Sequence, residues 1–129
     1  MKYFRFKEFD SPDLPLSGKN LMKKEFLSFI DQLRGKCGFP FVVTSGFRTQ
    51  EYNQSLVESP KYKASRTSSH LKGVAADISI RDSKRRALFI GFAIELAQEL
   101  NLPMRIGISS TFCHIDIDSE KNSPRIWVY

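Results

Sequence analysis

From Lys19 to Arg34 apolar residues recur at three- and four-residue steps, and Met22, Phe26, Phe29, Ile30 and Leu33 share one face of a predicted helix closed by Gly35. Phe39 to Thr44 is a β-branched and aromatic run that reads as a buried strand ending at Ser45 and Gly46. Thr49 is placed to cap a short helix through Leu56, and Glu58 to Ser69 then makes a long polar loop. From Val74 to Ile80 the period changes to two. Val74, Ala76, Ile78 and Ile80 lie on one face and Ala75, Asp77 and Ser79 on the other, so Asp77 points away from the apolar layer. Asp82 or Ser83 caps a second long helix reaching Leu100, with Phe89, Ala93, Leu96, Ala97 and Leu100 as its apolar stripe and Pro103 beyond its end. Met104 to Ile108 and Phe112 to Ile117 read as two more strands, and in the second Cys113, Ile115 and Ile117 oppose His114, Asp116 and Asp118. Arg125 to Tyr129 closes the pattern as an edge strand. This order predicts an α+β fold, a small, largely antiparallel sheet covered by helices.

A chain of 129 residues, 41% hydrophobic and 26% charged, fits one globular domain over residues 1–129, and it carries neither repeat nor linker. The balance of 20 Lys and Arg against 14 Asp and Glu, net +6, favours an anionic partner. Nucleic acid, an anionic wall polymer and an acidic peptide all qualify on charge. The basic residues are scattered and no nucleic-acid motif accompanies them, so no nucleic-acid partner is expected. Cys37 and Cys113 read as reduced core thiols, with one long-range disulfide as the alternative. Met1 to Phe9 holds no signal-peptide apolar stretch, and Glu95, Gln98 and Glu99 interrupt the apolar-rich Ala87 to Leu100 segment. The expectation is a monomer made in the cytoplasm, without a membrane partner.

The two histidines, His70 and His114, each stand near an aspartate of the polar strand face. Either pair alone matches an ordinary hydrogen-bonded histidine. Jointly they are more specific: Ser68 to Asp77 reads S-x-H-x-x-G-x-A-x-D, and His114-Ile115-Asp116 follows far downstream. With the opening Tyr3-Phe4 and Glu8-Phe9, the Thr44-Ser45-Gly46-Phe47-Arg48-Thr49 segment, Asn53, and Arg125-x-Trp127, the chain resembles the M15 zinc peptidases over nearly its whole length. That family comprises D-alanyl-D-alanine carboxypeptidases and peptidoglycan endopeptidases, and the likeness is greatest to its short phage-associated members.

The resemblance implies that His70, Asp77 and His114 are the three protein ligands of one Zn²⁺, in the α+β fold shared with the lysostaphin and hedgehog groups. Two imidazoles and a carboxylate suit zinc, and three protein ligands leave a fourth position open, as catalytic rather than structural sites do. Gly73 permits the turn from His70 into the strand, and a small residue at Ala75 keeps the metal-side face clear. Arg48 is the candidate for binding a substrate carboxylate or a developing oxyanion, against its plain reading as one surface arginine among many. Ser45, Asn53 and Ser68 are candidate substrate-binding positions, or else turn and capping residues.

Many relatives carry Asp or Glu three residues before the last histidine; here that position is Thr111, which cannot act as a general base. Asp116, on the strand face of His114, is either a partner that supports that histidine or the base itself, against its plain reading as a solvated strand carboxylate; it is the first choice for the base, ahead of Asp118 and Glu120. The expected function is zinc-dependent hydrolysis of an amide bond in peptidoglycan stem peptides, with carboxypeptidase and endopeptidase both open. Release by phage lysis or carriage in a virion would bring it to the wall. The basic Lys61-x-Lys63-x-x-Arg66 loop and Arg48 then favour encounter with an acidic polymer. The alternative is a non-catalytic zinc- or peptidoglycan-binding module that has lost its base.

Overall fold

The computed structural model describes residues 1–62 and 64–129; Lys63, one cation of the basic loop, lies outside the described residues. Strands β1 (Val43–Ser45), β2 (Ala75–Ser79), β3 (Arg105–Ile108), β4 (Phe112–Asp116) and β5 (Arg125–Val128) form one sheet in the order β1-β2-β4-β3-β5. Every neighbouring pair is antiparallel except β3 and β5, which run parallel. The sheet is thus largely antiparallel and the fold α+β.

The helix expected over Lys19 to Arg34 is broken into α1 (Ser17–Leu21) and α2 (Lys24–Cys37). Met22 between them is extended, and its side chain turns into the core. The break has a tertiary cause. The Lys23 amide donates to the Gly73 carbonyl at 2.9 Å, and Gly73, at φ +71, packs against the backbone of Leu21 and Met22 with no room for a Cβ. Gly35 is not the cap either: it lies inside α2 under the Tyr3 ring, and the helix ends at Gly38, whose left-handed φ of 75° supports a cap N–H to Arg34.

The strand expected from Phe39 begins only at Val43. Pro40 has no N–H for a ladder, while Phe39 and Phe41 drop into the core, Phe41 within 5.6 Å of the Phe89 ring. Thr49 does cap α3 (Gln50–Glu58), accepting from the Tyr52 amide at 3.0 Å, and Asp82 caps α4 (Ser83–Glu99), accepting from the Arg85 amide at 2.9 Å. Leu100, expected on the α4 stripe, is exposed.

Helices α2 and α4 cover one sheet face, where Phe26, Phe29, Ile30, Leu33, Phe89 and Leu96 meet Ala76, Ile78, Ile106 and Ile115. Each fully buried phenylalanine contributes roughly 1.5–3 kcal/mol. Cys37 and Cys113 sit in this core as free thiols. The other face carries the chemistry, because the period of two that sends Ile78 and Ile115 inward sends Asp77 and His114 outward.

Candidate metal centre

Register aligns the polar face in rows. Asp77 pairs with His114, His114 with Gly107, and Gly107 with Trp127, so all four stand at one level across β2, β4, β3 and β5. One step along, Ala75, Asp116, Arg105 and Arg125 form the next row. Gly107 has a steric reason: a Cβ there would lie 2.6 Å from the Trp127 indole, which crosses β3 to reach the His114 ring at a centroid distance of 5.6 Å. His70 comes from elsewhere, the single-turn 3-10 helix Ser69–Lys72 that leads into Gly73.

His70 Nε2 lies 3.2 Å and His114 Nδ1 2.9 Å from the same oxygen, Asp77 Oδ1. The outer ring nitrogens are taken. His70 Nδ1 faces the Gly46 carbonyl at 2.7 Å, and His114 Nε2 faces Asp116 Oδ2 at 2.7 Å. In neutral rings those outer nitrogens donate, which leaves the lone pairs of His70 Nε2 and His114 Nδ1 directed at Asp77. One donor atom from each of the three residues lies within 4.8 Å of the others. Tetrahedral ligands at zinc distances stand about 3.3 Å apart, so the set fits a divalent ion of that size.

The electrostatics favour the metal-binding form at His70 and Asp77. Burial pushes His70 down, outweighing the Asp77 charge, and favours the neutral, metal-binding imidazole. Burial also opposes ionisation of Asp77, but His70 and His114 beside it hold its carboxyl well below the usual range. For His114 burial is outweighed by hydrogen bonds to Asp116 and Asp77, and its value rises. Asp116, despite burial, is held at about 2 by His114 and Arg105.

Arg48, half-buried, completes the cluster. Its Nη2 donates to Asp77 Oδ2 at 3.2 Å, Nε to Ser45 Oγ at 3.0 Å and Nη1 to Asn53 Oδ1 at 3.3 Å. Three of its five N–H groups are engaged, and the others remain for the groove it lines. Asn53 is buried, and its amide donates to the Ser65 carbonyl at 2.8 Å. Ser68, also buried, caps the His70 turn through the His70 amide at 3.2 Å. The structure brings Arg48, Ser45, His70, Asp77 and His114 together, sets Asn53 and Ser68 behind them, and places Asp116 behind His114, where it also accepts from Arg105 at 2.8 and 3.1 Å and from the Asp118 amide at 3.2 Å. Thr111 is exposed and lines the groove.

Asp118 clamps the His70 turn to the end of β4. It accepts from Ser69 Oγ at 2.7 Å, Lys72 Nζ at 3.1 Å and the Glu120 amide at 3.1 Å. Burial is outweighed by these donors, and its carboxyl lies below the ordinary value. Lys72 is 36% exposed, so water screens that pair and Asp118→Ala is expected to cost about 1–3 kcal/mol. A lowered folded value gives stability that is present above about pH 4 and lost as pH falls through it. Urea unfolding should therefore show the gap between wild type and variant at pH 7 shrinking in acid; a gap independent of pH would contradict the clamp.

A groove of about 650 Å³ opens beside Asp77, bordered by Arg48, Tyr52, Lys61, Arg81, Phe112 and Tyr129. A smaller hollow of about 490 Å³ lies on the β5 side, bordered by Arg105, Lys121, Arg125 and Trp127. Sequence reading missed Arg105 and Tyr129. Nothing in the chain signals that Arg105 faces Asp116, since only register pairs them; Tyr129 follows the edge strand and reaches the groove through the parallel β3–β5 pairing, its amide donating to the Ile108 carbonyl at 3.0 Å. The residue as a whole is 41% exposed, but desolvation of its phenol, helped by the Asp77 charge, pushes it up to about 12, so it remains a donor at neutral pH.

The class thus defined is an α+β protein with a buried two-histidine, one-aspartate donor set opening on a basic groove. A family model described as Peptidase M15 matches residues 9–116, and the chain belongs to that family of peptidases. Its fold is similar to the crystal structure of the Serratia marcescens L-Ala D-Glu endopeptidase ChiX, with a TM-score of 0.65 and 17% identity over 92% of this chain and 93% of that one. No curated protein matches the chain.

Proposed function

We propose that the protein is a zinc-dependent peptidase that hydrolyses an amide bond in the acidic stem peptides of bacterial peptidoglycan. The observation that carries this reading is the convergence of His70 Nε2, His114 Nδ1 and Asp77 Oδ1, each outer ring nitrogen fixed by an acceptor, beside a groove lined by cations. Zinc held by these atoms would supply Lewis-acid polarisation of the scissile carbonyl and a water acidified to near neutrality.

The chain's own groups do the rest. Arg48 holds Asp77 in place and keeps free N–H groups toward the carbonyl oxygen as negative charge develops on it. Tyr129, protonated and on the groove wall, is a second donor to that oxygen. Asn53 and Ser68 act through others, the first on Arg48 and the second on the His70 turn. Asp116 orients His114 and keeps its proton on Nε2; this reading moves Asp116 from base to positioning residue.

A second reading has one observation in its favour. Asp77 is the single carboxylate among the described groove-lining residues, and a zinc- and peptide-binding module that does not hydrolyse needs no other. Metal analysis followed by incubation with purified peptidoglycan separates the two. The peptidase reading expects one zinc per chain and muropeptide fragments that vanish with a chelator; zinc without fragments across several wall types would establish the binding module.

A further inference from the structure

Two basic depressions flank the donor cluster, and only the groove on the Asp77 side is needed to hold one end of a peptide. We propose that the second, bordered by Arg105, Lys121, Arg125 and Trp127, is a peptide subsite that binds a carboxylate two to four residues from the scissile bond, so that an acidic peptide lies across the centre and is cut internally. The proposal rests on the peptidase reading and adds to it where the substrate runs and which of its groups is recognised.

Position is the first argument. Arg105 and Arg125 stand one row from His114 on the same sheet face. One row is roughly 7 Å along a strand, and the strands lie about 4.8 Å apart, which puts these arginines roughly 8–12 Å from the donor cluster. An extended peptide covers that distance in two to four residues. Trp127 is the wall between the two places, its ring against His114 on one side and under the Arg105 guanidinium, 5.0 Å from the centroid, on the other.

Charge is the second. Arg105 is neutralised by Asp116, and Asp118 is held by Ser69 and Lys72 and reaches Lys121 only at 4.0 Å. Glu120, the acidic residue bordering the hollow, pairs with Lys72 at 3.3 Å. Among the described residues no carboxylate lies within ion-pairing distance of Arg125. Lys121 and Arg125 therefore leave the hollow positive, and burial is the main cause that pushes the Lys121 ammonium down. A carboxylate entering beside Lys121 and Arg125 gains charge-assisted hydrogen bonds from both. With Arg48, Lys61 and Arg81 in the first groove, the cleft offers cations at both ends of a bound segment.

The chain has one tryptophan, Trp127, so its fluorescence reports occupation of the hollow with or without turnover. The probes are a synthetic stem tetrapeptide bearing a free D-glutamate carboxylate and the same peptide with that group amidated, titrated into the full chain with zinc removed. The acidic peptide should bind about tenfold tighter or more, and raised salt should erase the difference. The double variant Lys121→Ala, Arg125→Ala should lose the preference, and Arg125→Lys should keep most of it. Both changes lie in exposed or half-buried positions, and thermal melting checks the fold. Equal affinity of the two peptides for the wild type, or a preference that survives in the double variant, overturns the subsite. Competition by inorganic phosphate as strong as by the acidic peptide overturns it as a peptide site. A fluorescence preference without cleavage by the zinc-loaded chain supports the subsite while removing the peptidase reading, and cleavage without the preference does the reverse.

Discussion

Asp77→Ala is expected to retain no zinc and to show no peptidase activity above background. Asp77 is the one residue that touches every other member of the centre: Oδ1 faces both His70 Nε2 and His114 Nδ1, and Oδ2 accepts from Arg48. Its loss removes the anionic member of the donor set and leaves the half-buried Arg48 guanidinium without its carboxylate partner. Partners outside the donor set cost 10–100-fold in affinity or activity when removed, so loss of a donor should cost at least about a thousandfold in kcat/KM. Asp77→Asn, which keeps the shape and an acceptor for Arg48, should restore folding stability but not the metal. Metal content by mass spectrometry, read beside the melting temperature, separates loss of the ion from loss of the fold. Full zinc content in Asp77→Ala would remove Asp77 from the donor set.

The parts of this arrangement legible in the sequence are those governed by local period and capping. Alternation along Val74 to Ile80 and Phe112 to Ile117 put Asp77 and His114 on the polar face, and Thr49 and Asp82 cap the helices that follow them. What stayed hidden depends on contacts between distant segments. The break at Met22 exists because Gly73 packs there, and periodicity cannot register a neighbour more than 40 positions away. That Asp116 shares a strand face with His114 leaves both a base and a supporting partner of that ring open. Two residues on one face are about 7 Å apart, however, and the Arg105 that draws the Asp116 carboxylate aside arrives only through the β3–β4 register. The absence of a carboxylate at Thr111 was plain from the sequence; the presence of Tyr129 on the groove wall was not, because its strand pairs in parallel with β3 through a connection that no turn signal announces.

Asp116→Asn should lower zinc affinity by about 10–100-fold and leave most of kcat recoverable at saturating zinc. The carboxylate is fully buried, 2.7 Å from His114 Nε2, and held on its other side by Arg105. Its contact is with the nitrogen turned away from Asp77, so its influence on the centre passes through the ring: it fixes which nitrogen carries the proton and how the imidazole is aimed. A general base would behave in the opposite way, with zinc affinity intact and turnover lost at every zinc concentration. Stability gives an independent reading, since the variant leaves the partly buried Arg105 without its counter-charge, at a cost of about 3 kcal/mol. Arg105→Ala should reproduce part of the loss in zinc affinity, and the double variant Arg105→Ala, Asp116→Asn should lose less than the sum of the two, because the second change removes a partner already gone. Strict additivity in zinc affinity, or turnover that zinc does not restore, would return Asp116 to the reacting atoms.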